Sequence, residues 1–510
     1  MKLTRLEIWL TLLLVFALTL GVGLYGRFTD DRVCWDAMAA VAHAFDAFHA
    51  QPNANLAMIG FVQPPLPALL QLPIVLLVPW LATTGLAANL LGALCAAASA
   101  ALLLGLAADS GLPRAWRWPL VALFALHPLV LGPAACGAPM ALLTTLLMGA
   151  SWAMLRWART ESLRDLIAAS LLLSGALITR YEAVFIVVGA LIYLAWRAWR
   201  QDRSPEKLEG TLITFALPIA YVVGIWIAAN WAIMGDPWFF ARETFEPRPV
   251  SAETMLTELL RVGLVAFFPV LALVYHQMRG AGRYPATARP VAWMVLTAML
   301  APGLFPSLFA GLGSDGQWAN LLTPLAMVLA GGFAMLAAVA GDVLQGRGQE
   351  RPMQGTVMMA AASLGVAIWL LGSGPAFPAP PQQALLGRGA LSARAAEELR
   401  AAQLLRETEL PADRQHIIAG WPGFAVALYA GRTGEIAVIQ ARELPEQVDT
   451  LWEGSVLVLL VGDDASAVAP ASVDAGLGLA RGLALVERWR AGPWVCYEIV
   501  RQVADPQAEN

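Results

Sequence analysis

The chain has 510 residues, of which 58% are hydrophobic and only 14% are charged. Soluble globular domains contain about 25% charged residues, so this composition indicates a protein that crosses a membrane several times. The formal net charge of −4 excludes the basic surface that nucleic-acid binding requires. The four cysteines, at positions 34, 95, 136 and 496, show no Cys-x-x-Cys or Cys/His spacing, which excludes the common zinc and haem motifs.

The first predicted helix covers residues 8–25 and follows a short basic segment at residues 1–5. Cytoplasmic loops of membrane proteins carry an excess of Lys and Arg, so we expect a cytoplasmic N-terminus. We interpret the helix as a retained anchor, because no small-residue cleavage site clearly follows it. It delivers Asp30 and Asp31 to the outside, where adjacent carboxylates close to lipid are costly.

The segment 33–50 is rich in alanine and has a helical period, interrupted by Asp36, His43 and Asp46. It is too polar to span the membrane, so we predict a helix that lies in the membrane interface. The next segment, 64–80, is apolar but contains prolines at 65, 67, 73 and 79. Whether this segment crosses the membrane or is re-entrant stays open.

Apolar runs alternate with arginine-containing loops along the rest of the membrane part. The arginines fall on the cytoplasmic side of nearly every loop, which gives eleven spans without segment 64–80 and 11 to 13 helices overall, with the C-terminus outside. The predicted spans after residue 80 are 86–108, 118–131, 138–155, 166–179, 183–196, 212–234, 255–275, 291–312, 321–340 and 357–371.

The chain changes character after residue 373. Glycine and proline at 372–381 predict a linker, which we place at 374–390. It joins a transmembrane domain at 1–373, with its first outer loop at 27–63, to a C-terminal domain at 391–510. Within that domain, 394–408 predicts a helix, and 417–419, 425–429, 436–439, 455–461 and 495–500 predict strands. We expect a small extracytoplasmic α/β domain, which at about 120 residues can form its own core.

Polar residues on the outer side gather in four places. Their concentration on one leaflet suggests a cavity that opens outward and is lined by helix ends. The four groups are Asp30, Asp31 and Asp36; Arg180, Tyr181 and Glu182; Asp236, Arg242 and Glu243; and Asp315 with Gln317.

These features resemble the GT-C class of polytopic glycosyltransferases, which includes the protein O-mannosyltransferases and the bacterial aminoarabinose transferases. Each motif is short. The resemblance, over residues 1 to about 330, rests on the order of the motifs and on the side of the membrane where each is predicted to lie. The motifs are a first helix followed by acidic residues, an amphipathic helix, Gln63-Pro64-Pro65-Leu66, the outer turn His127-Pro128, Thr179-Arg180-Tyr181-Glu182, and the turn Gly235-Asp236-Pro237-Trp238 after Asn230-Trp231.

The resemblance implies an inner-membrane enzyme that transfers a sugar from a polyprenyl-phosphate carrier to an acceptor hydroxyl on the extracytoplasmic side. A nearby carboxylate can take the proton of the acceptor. We assign this role first to Asp31, because Trp35 and Ala39 follow it at the spacing often seen in the family. Asp30 comes next and Asp36 is a rival. For Asp36 the alternative is a residue on the polar face of an interfacial helix.

The leaving lipid phosphate needs a cation or a metal ion, and we assign this role to Arg180 first and to Arg242 second. An arginine that snorkels to lipid headgroups is the alternative for Arg180, and Glu182 could simply pair with it. A divalent metal held by Asp30 or Asp31 stays open, although no carboxylate set has octahedral spacing. The predicted substrate-binding residues are Arg180, Tyr181, Glu182, Arg242, Gln63, His127 and Gln317, with His127 more typical of a capping or interfacial residue than of a catalytic one.

The sequence departs from the family at Gln317-Trp318, where many members carry an Arg-Tyr pair. The missing cation puts phosphate binding there in doubt, and it keeps open a catalytically inactive scaffold whose outer domain binds a partner. A transporter or flippase for an amphipathic lipid is another alternative, but it predicts internal repeats, and none is obvious. Cys34 and Cys496 both fall on the outer side, where disulfides persist, so a bond between them is a further hypothesis.

Overall fold

The computed structural model describes residues 3–29, 32–49, 56–61, 63–200, 205–244, 289–304, 327, 329–338, 393–394, 396–420, 423–439, 444–447, 450–461, 473 and 482–501. The predicted spans 255–275 and 357–371 and the predicted linker 374–390 lie outside these residues, so the predicted total of 11 to 13 helices stays a prediction.

The membrane part is helical, as predicted, with two short 3-10 turns at Leu56–Ile59 and Tyr181–Ala183. Its helices are α1 Arg5–Thr29, α2 Trp35–His49, α3 Leu66–Leu77, α4 Pro79–Thr83, α5 Leu86–Asp109, α6 Arg114–Ala125, α7 Pro128–Ala135, α8 Pro139–Thr160, α9 Leu163–Leu177, α10 Val184–Arg200, α11 Pro205–Met234, α12 Phe239–Thr244, α13 Arg289–Leu304 and α14 Leu329–Ala338.

Four helical stretches in the described part of the chain are long and apolar enough to cross a membrane, so the protein is a multi-pass membrane protein. They are Arg5–Thr29, Leu86–Asp109, Tyr181–Arg200 and Pro205–Met234. The predicted span 118–131 is not one straight helix, because α6 and α7 meet at a 57° bend. The residue before a proline is disfavoured in the helical conformation, and His127 before Pro128 is extended, with ψ 128°.

The apolar segment 64–80 forms two short helices instead of one span. Helix α3 has 12 residues and is therefore about 18 Å long, whereas the hydrocarbon core of a bilayer is about 30 Å thick. The chain leaves helical geometry at Val78 (φ −140°, ψ 77°), immediately before Pro79. This geometry favours the re-entrant alternative.

Helix α2 differs from the predicted interfacial helix, because protein rather than lipid covers its apolar residues. Met38, Ala39 and Val41 are at most 2% exposed. The helix packs against α3 on one side and against a helix of the C-terminal domain on another. Its many alanines allow this close approach from several directions, and they do not form a lipid-facing surface.

Contacts near the helix ends join segments that the arginine pattern predicts to lie on the same side of the membrane. At one end, Arg114 pairs with Glu7 at 2.6 Å and Arg197 pairs with Glu161 at 2.8 Å. All four of these residues belong to segments that the sequence places near the cytoplasm. At the other end, the backbone N–H of Leu66 donates to Ile178 at 3.0 Å, so the start of α3 lies beside the end of α9.

The C-terminal domain is α/β, as predicted. Its elements, after the short strand β2 Ala393–Arg394, are α15 Ala396–Glu407, β3 Ile417–Ala419, α16 Gly423–Ala430, β4 Ala437–Ile439, α17 Leu444–Gln447, β5 Val456–Leu460, β6 Leu483–Ala491 and β7 Trp494–Arg501. The larger sheet has the order β4-β3-β5-β7-β6, with β3 parallel to β4 and β5, and with β7 antiparallel to β5 and β6.

Two strand assignments in this domain need correction. The predicted strand 425–429 is part of helix α16, because a short apolar run is compatible with a buried helix as well as with a buried strand. Strand β6 was not predicted; it lies at the edge of the sheet, paired to β7, and its middle residues Glu487 and Arg488 are exposed.

The C-terminal domain is docked on the first outer loop. Strand β1 (Arg32–Val33) pairs antiparallel with β2, which directly precedes α15. The ring of Phe424 on α16 meets the His43 ring edge-on, with 4.8 Å between centroids. The domain therefore contacts both the entry to α2 and its third turn.

Candidate active site

An ion pair between Asp36 and Arg180 joins the first outer loop to the turn after α9. The Nη2 atom of Arg180 lies 3.4 Å from Oδ2 of Asp36, and 12% of the arginine side chain and 24% of the aspartate side chain are exposed. The two residues are 144 positions apart in the chain. Of the predicted site residues, these two are therefore brought together, and both remain partly accessible.

The local folds of both segments fix this pair. Asp36 is in the first turn of α2, where the positive end of the helix dipole favours a carboxylate. Arg180 follows α9 in an extended conformation, with ψ 126°, and its N–H still donates to Ala176 at 2.9 Å. The side chain therefore leaves the helix axis and turns towards the first loop.

A second carboxylate, Glu182, makes the group net negative. Its side chain is 3% exposed, and neither of its oxygens has a hydrogen-bond partner among the described residues. Burial disfavours the charged form of Arg180, but the nearby Glu182 and Asp36 outweigh this effect and raise the pKa of Arg180 above its ordinary value. Arg180 is thus a permanent cation whose Nε atom has no partner in the described part of the chain.

An aromatic cluster lies against the group through Tyr181, the neighbour of Arg180 and Glu182. The indole N–H of Trp226 on α11 donates to the Tyr181 hydroxyl at 3.1 Å. Phe61 stacks on Trp226 with 5.3 Å between centroids, and Phe240 of α12 lies 5.3 Å from the Tyr181 ring. The cluster joins the first loop, the turn after α9 and α11 beside the ion pair.

The other predicted site residues occupy different places. Arg242 pairs with Asp236 in the turn after α11, and Gln63 lies half-buried before α3. His127 is 3% exposed and caps α7, accepting a hydrogen bond from the N–H of Leu129 at 3.2 Å. Its capping role is the one that the sequence favoured. Asp30, Asp31 and Gln317, as well as the side chain of Glu243, lie outside the described residues.

The predicted bond between Cys34 and Cys496 is wrong. All four cysteines are free thiols, and Cys496 is buried in the sheet, where it faces Val458 and Trp489 on the neighbouring strands. Cys136, after the end of α7, and burial raise the pKa of the Cys34 thiol well above its ordinary value. No sequence signal had linked these two cysteines.

Sequence reasoning also missed Phe61 and Trp226. A weak signal existed for Trp226, because it precedes Asn230 by four residues on an otherwise apolar helix. Trp226 and Asn230 are both buried, whereas most other residues of α11 are not.

The described residues do not suit a metal ion. They contain no group of three or more His, Cys, Asp or Glu side chains that could hold one. Asp36 and Glu182 both neighbour the cation of Arg180, which would repel a divalent cation at that position.

Comparison with solved structures identifies the same overall fold. The oligosaccharyltransferase of Archaeoglobus fulgidus in the apo form is similar, with a TM-score of 0.51 and 11% sequence identity over 85% of this chain and 64% of that chain. The oligosaccharyltransferase AglB from Archaeoglobus fulgidus, in complex with an inhibitory peptide and a dolichol-phosphate, has a TM-score of 0.49, 9% identity and coverages of 84% and 64%. The arabinofuranosyltransferase AftD from Mycobacteria has a TM-score of 0.49, 16% identity and coverages of 98% and 42%.

The sequence comparisons add no relative. No family model matches the chain, and no curated protein matches it. The chain spans 64% of the length of the first of the similar structures.

Proposed function

From the GT-C fold of this chain, we propose that it is a membrane glycosyltransferase that transfers a sugar from a polyprenyl-phosphate donor to an acceptor hydroxyl. The reaction takes place at the end of the helices where the first outer loop meets the C-terminal domain. The excess of arginine at the opposite end supports an extracytoplasmic location for this end.

The observation that carries this proposal is the ion pair of Asp36 and Arg180. It places a carboxylate and a permanent cation 3.4 Å apart and leaves both partly exposed. Glycosyl transfer from a lipid phosphate needs one group of each kind, because a proton leaves the acceptor while negative charge develops on the phosphate.

In the first half of the reaction, Asp36 acts as the general base. Its carboxylate accepts the proton of the acceptor hydroxyl while the hydroxyl oxygen forms a bond to the anomeric carbon. Asp31 and Asp30, a few residues earlier in the same loop, remain the rival candidates for this role. The contact with Arg180 is what favours Asp36 over them.

In the second half, Arg180 stabilises the departing phosphate. The bond between the anomeric carbon and the phosphate oxygen breaks, and the phosphate keeps the electron pair. The Nε atom of Arg180, which has no partner among the described residues, can donate to a phosphate oxygen. A phosphate that also takes Nη2 displaces Asp36, and this exchange frees the carboxylate to accept the proton.

The remaining site residues fit supporting roles in this scheme. Tyr181 and Glu182 hold Arg180 in place, and Gln63 and His127 flank the same outer end. Arg242, already paired with Asp236, is the second candidate for phosphate binding, and Gln317 belongs to the late loop. The acceptor can be a lipid, a protein or a polysaccharide.

The test is a transfer assay on purified protein in proteoliposomes, with candidate polyprenyl-phosphate sugars as donors. Asp36→Asn should lower the rate by about 10²–10⁴-fold, the usual contribution of a general base. Arg180→Gln should lower it by about 10²–10³-fold, as expected when one stabilising donor is lost. Asp30→Asn and Asp31→Asn are measured beside them.

Asp165→Asn is the matched control. Asp165 forms an ion pair of nearly the same length with Arg156, 3.3 Å, but at the opposite end of the helices. Its rate should match that of the unaltered protein. A loss confined to Asp31→Asn or Asp30→Asn would move the base to that residue, and full activity in all three aspartate variants would refute the assignment of a base in this loop.

A further inference from the structure

Two arginines lie over the same indole ring where α10 meets α13. The Cζ atoms of Arg200 and Arg289 are 5.6 Å and 5.5 Å from the centroid of the Trp196 ring, within the range of a cation–π interaction. Because both lie near one point, the two guanidinium groups are at most about twice that distance apart. Arg200 is exposed and Arg289 is partly exposed, so a ligand can reach both.

The packing of α10 against α13 fixes this arrangement. A Cβ on Gly189 would overlap Oγ1 of Thr297, so glycine at this position allows the two helices their close approach. Nearer the end of α10, the rings of Trp196 and Trp293 lie 6.5 Å apart between centroids. Residue numbers thus rise along one helix as they fall along the other. The helices are therefore antiparallel, and the two arginines lie at the same end of the bundle.

Neither of the two guanidinium groups has a carboxylate partner or a hydrogen-bond acceptor among the described residues. Other arginines at this end have one, since Arg114 pairs with Glu7 and Arg197 pairs with Glu161. A guanidinium presents five N–H donors and no acceptor, and its planar fork matches the geometry of a phosphate group. Two such groups beside one ring form a positively charged site that a phosphate can neutralise.

We propose that Trp196, Arg200 and Arg289 form a binding site for the phosphate of an anionic membrane lipid. The surroundings favour a lipid over a soluble anion. Tryptophan is enriched at membrane interfaces, and the neighbouring Trp199 is 77% exposed in the last turn of a helical stretch that is long and apolar enough to cross a membrane. Basic pockets between membrane helices on the cytoplasmic side bind the head groups of anionic lipids.

The site is separate from the proposed active site. It lies at the end of α10 that the arginine pattern predicts to be cytoplasmic, whereas Arg180 and Tyr181 precede the other end of the same helix. The full length of α10 therefore separates the two sites. Lipid binding here does not depend on the proposed function.

The test is native mass spectrometry of the full-length protein, purified in detergent, stripped of lipid and then given phosphatidylglycerol or phosphatidylethanolamine. We expect phosphatidylglycerol to bind more tightly, because the ammonium group of phosphatidylethanolamine offsets its phosphate charge. Arg200→Gln and Arg289→Gln should each weaken phosphatidylglycerol binding about fivefold, the contribution of one basic residue beside an anionic membrane surface. Together they should weaken it about 25-fold if these contributions add.

Arg164→Gln combined with Lys207→Gln is the matched control. It removes two exposed positive charges from the same end of the helices, and it should leave phosphatidylglycerol binding unchanged. Equal losses in the two double variants would overturn the proposal, because the attraction would then be general to this surface. Unchanged binding in Arg200→Gln with Arg289→Gln would also overturn it.

A competition experiment distinguishes a lipid from a soluble phosphate. Glycerol 3-phosphate has the same phosphate group but no acyl chains, and we expect it to leave bound phosphatidylglycerol in place. Its displacement of the lipid at equal concentration would overturn the assignment to a lipid. These measurements need no sugar donor or acceptor, so their outcome is independent of transfer activity.

Discussion

The hydroxyl of Tyr429 lies 3.8 Å from the sulfur of Met38, across 391 residues of chain. This contact joins α16 of the C-terminal domain to the first turn of α2, one residue after Ala37 and two after Asp36. The guanidinium of Arg27 also lies over the Tyr429 ring, 5.4 Å from its centroid. A residue of the C-terminal domain therefore contacts both the end of α1 and the start of α2.

Truncation of Tyr429 should loosen α2. We expect Tyr429→Ala to cost about 3–5 kcal/mol, the range for removing a buried aromatic ring, and to speed amide hydrogen exchange in α2. Tyr429→Phe keeps the ring over Arg27 and should exchange almost as the unaltered protein does. Trp452→Ala, which removes a side chain that is 56% exposed in the same domain, is the control. Equal exchange in α2 for Tyr429→Ala and Trp452→Ala would show that the domain does not hold this helix.

Gly85 should tolerate no side chain, because it combines a left-handed backbone with close neighbours. Its φ is +75°, and an added Cβ would lie 3.0 Å from the Met38 sulfur and 3.2 Å from the Tyr429 hydroxyl. Gly235 has nearly the same φ, +72°, with nothing within 4 Å. Gly235→Ala should therefore cost only the backbone penalty of about 1–2 kcal/mol, and Gly85→Ala should cost more. Equal melting temperatures for the two variants would contradict the steric part of this explanation.

Asp46 and His43 on α2 should give opposing dependences of stability on pH. Burial raises the pKa of Asp46 from 3.8 to about 7, and burial lowers the pKa of His43 from 6.5 to about 4. The folded state thus holds an extra proton on Asp46 between these values, so stability from Asp46 is lost as the pH rises from about 4 to about 7. The folded state lacks a proton on His43, so stability is lost as the pH falls from 6.5 to about 4.

The two effects should nearly cancel in the unaltered protein, and single variants should reveal them. Asp46→Asn should become more stable with rising pH from about 4 to 6.5, because only His43 then contributes. His43→Gln should become less stable over the same range. Melting temperatures from tryptophan fluorescence, measured at several pH values in detergent, provide the check. Parallel pH profiles for the two variants would contradict the assigned directions.

Removal of the Arg180 cation should destabilise the protein through Glu182. Arg180→Gln leaves the partly exposed Asp36 and the buried Glu182 without a neutralising partner, and a buried charge left unpaired in this way costs up to about 3–5 kcal/mol. Arg180→Gln combined with Glu182→Gln removes the more deeply buried of the two charges and should recover part of that loss. A double variant with the same melting temperature as Arg180→Gln alone would show that the charge of Glu182 does not interact with that of Arg180.

The sequence predicted the membrane class, because that property depends on composition. It did not predict that Arg180 would meet Asp36 instead of a lipid headgroup. That contact depends on the short helix α3, whose first N–H binds the carbonyl of Ile178. The length of α3 is set by Pro79, but its path back towards α9 is a tertiary property that periodicity does not encode.

Helix α2 is a second case in which the sequence pattern does not specify a tertiary contact. Its alanine-rich pattern predicts a helix but does not say what covers it, and lipid and protein are equally compatible with a face of small apolar residues. That cover is helix α16 at 423–430, whose residues 425–429 the sequence predicts as a strand, because so short an apolar run has no diagnostic period. Because 425–429 were predicted as a strand, the sequence did not identify α16 as the partner of α2.

The pairing of Arg32 and Val33 with Ala393 and Arg394 has a consequence for biogenesis. A ribosome adds about 5–20 residues per second, so roughly 20 to 70 seconds separate the synthesis of the first strand from that of its partner. During this interval the nascent chain has inserted its early helices but has not yet received the segment that closes the loop beside Asp36. The loop at residues 32–33 is therefore completed only when the C-terminal domain is made, and premature termination anywhere before residue 393 leaves this loop without its partner strand.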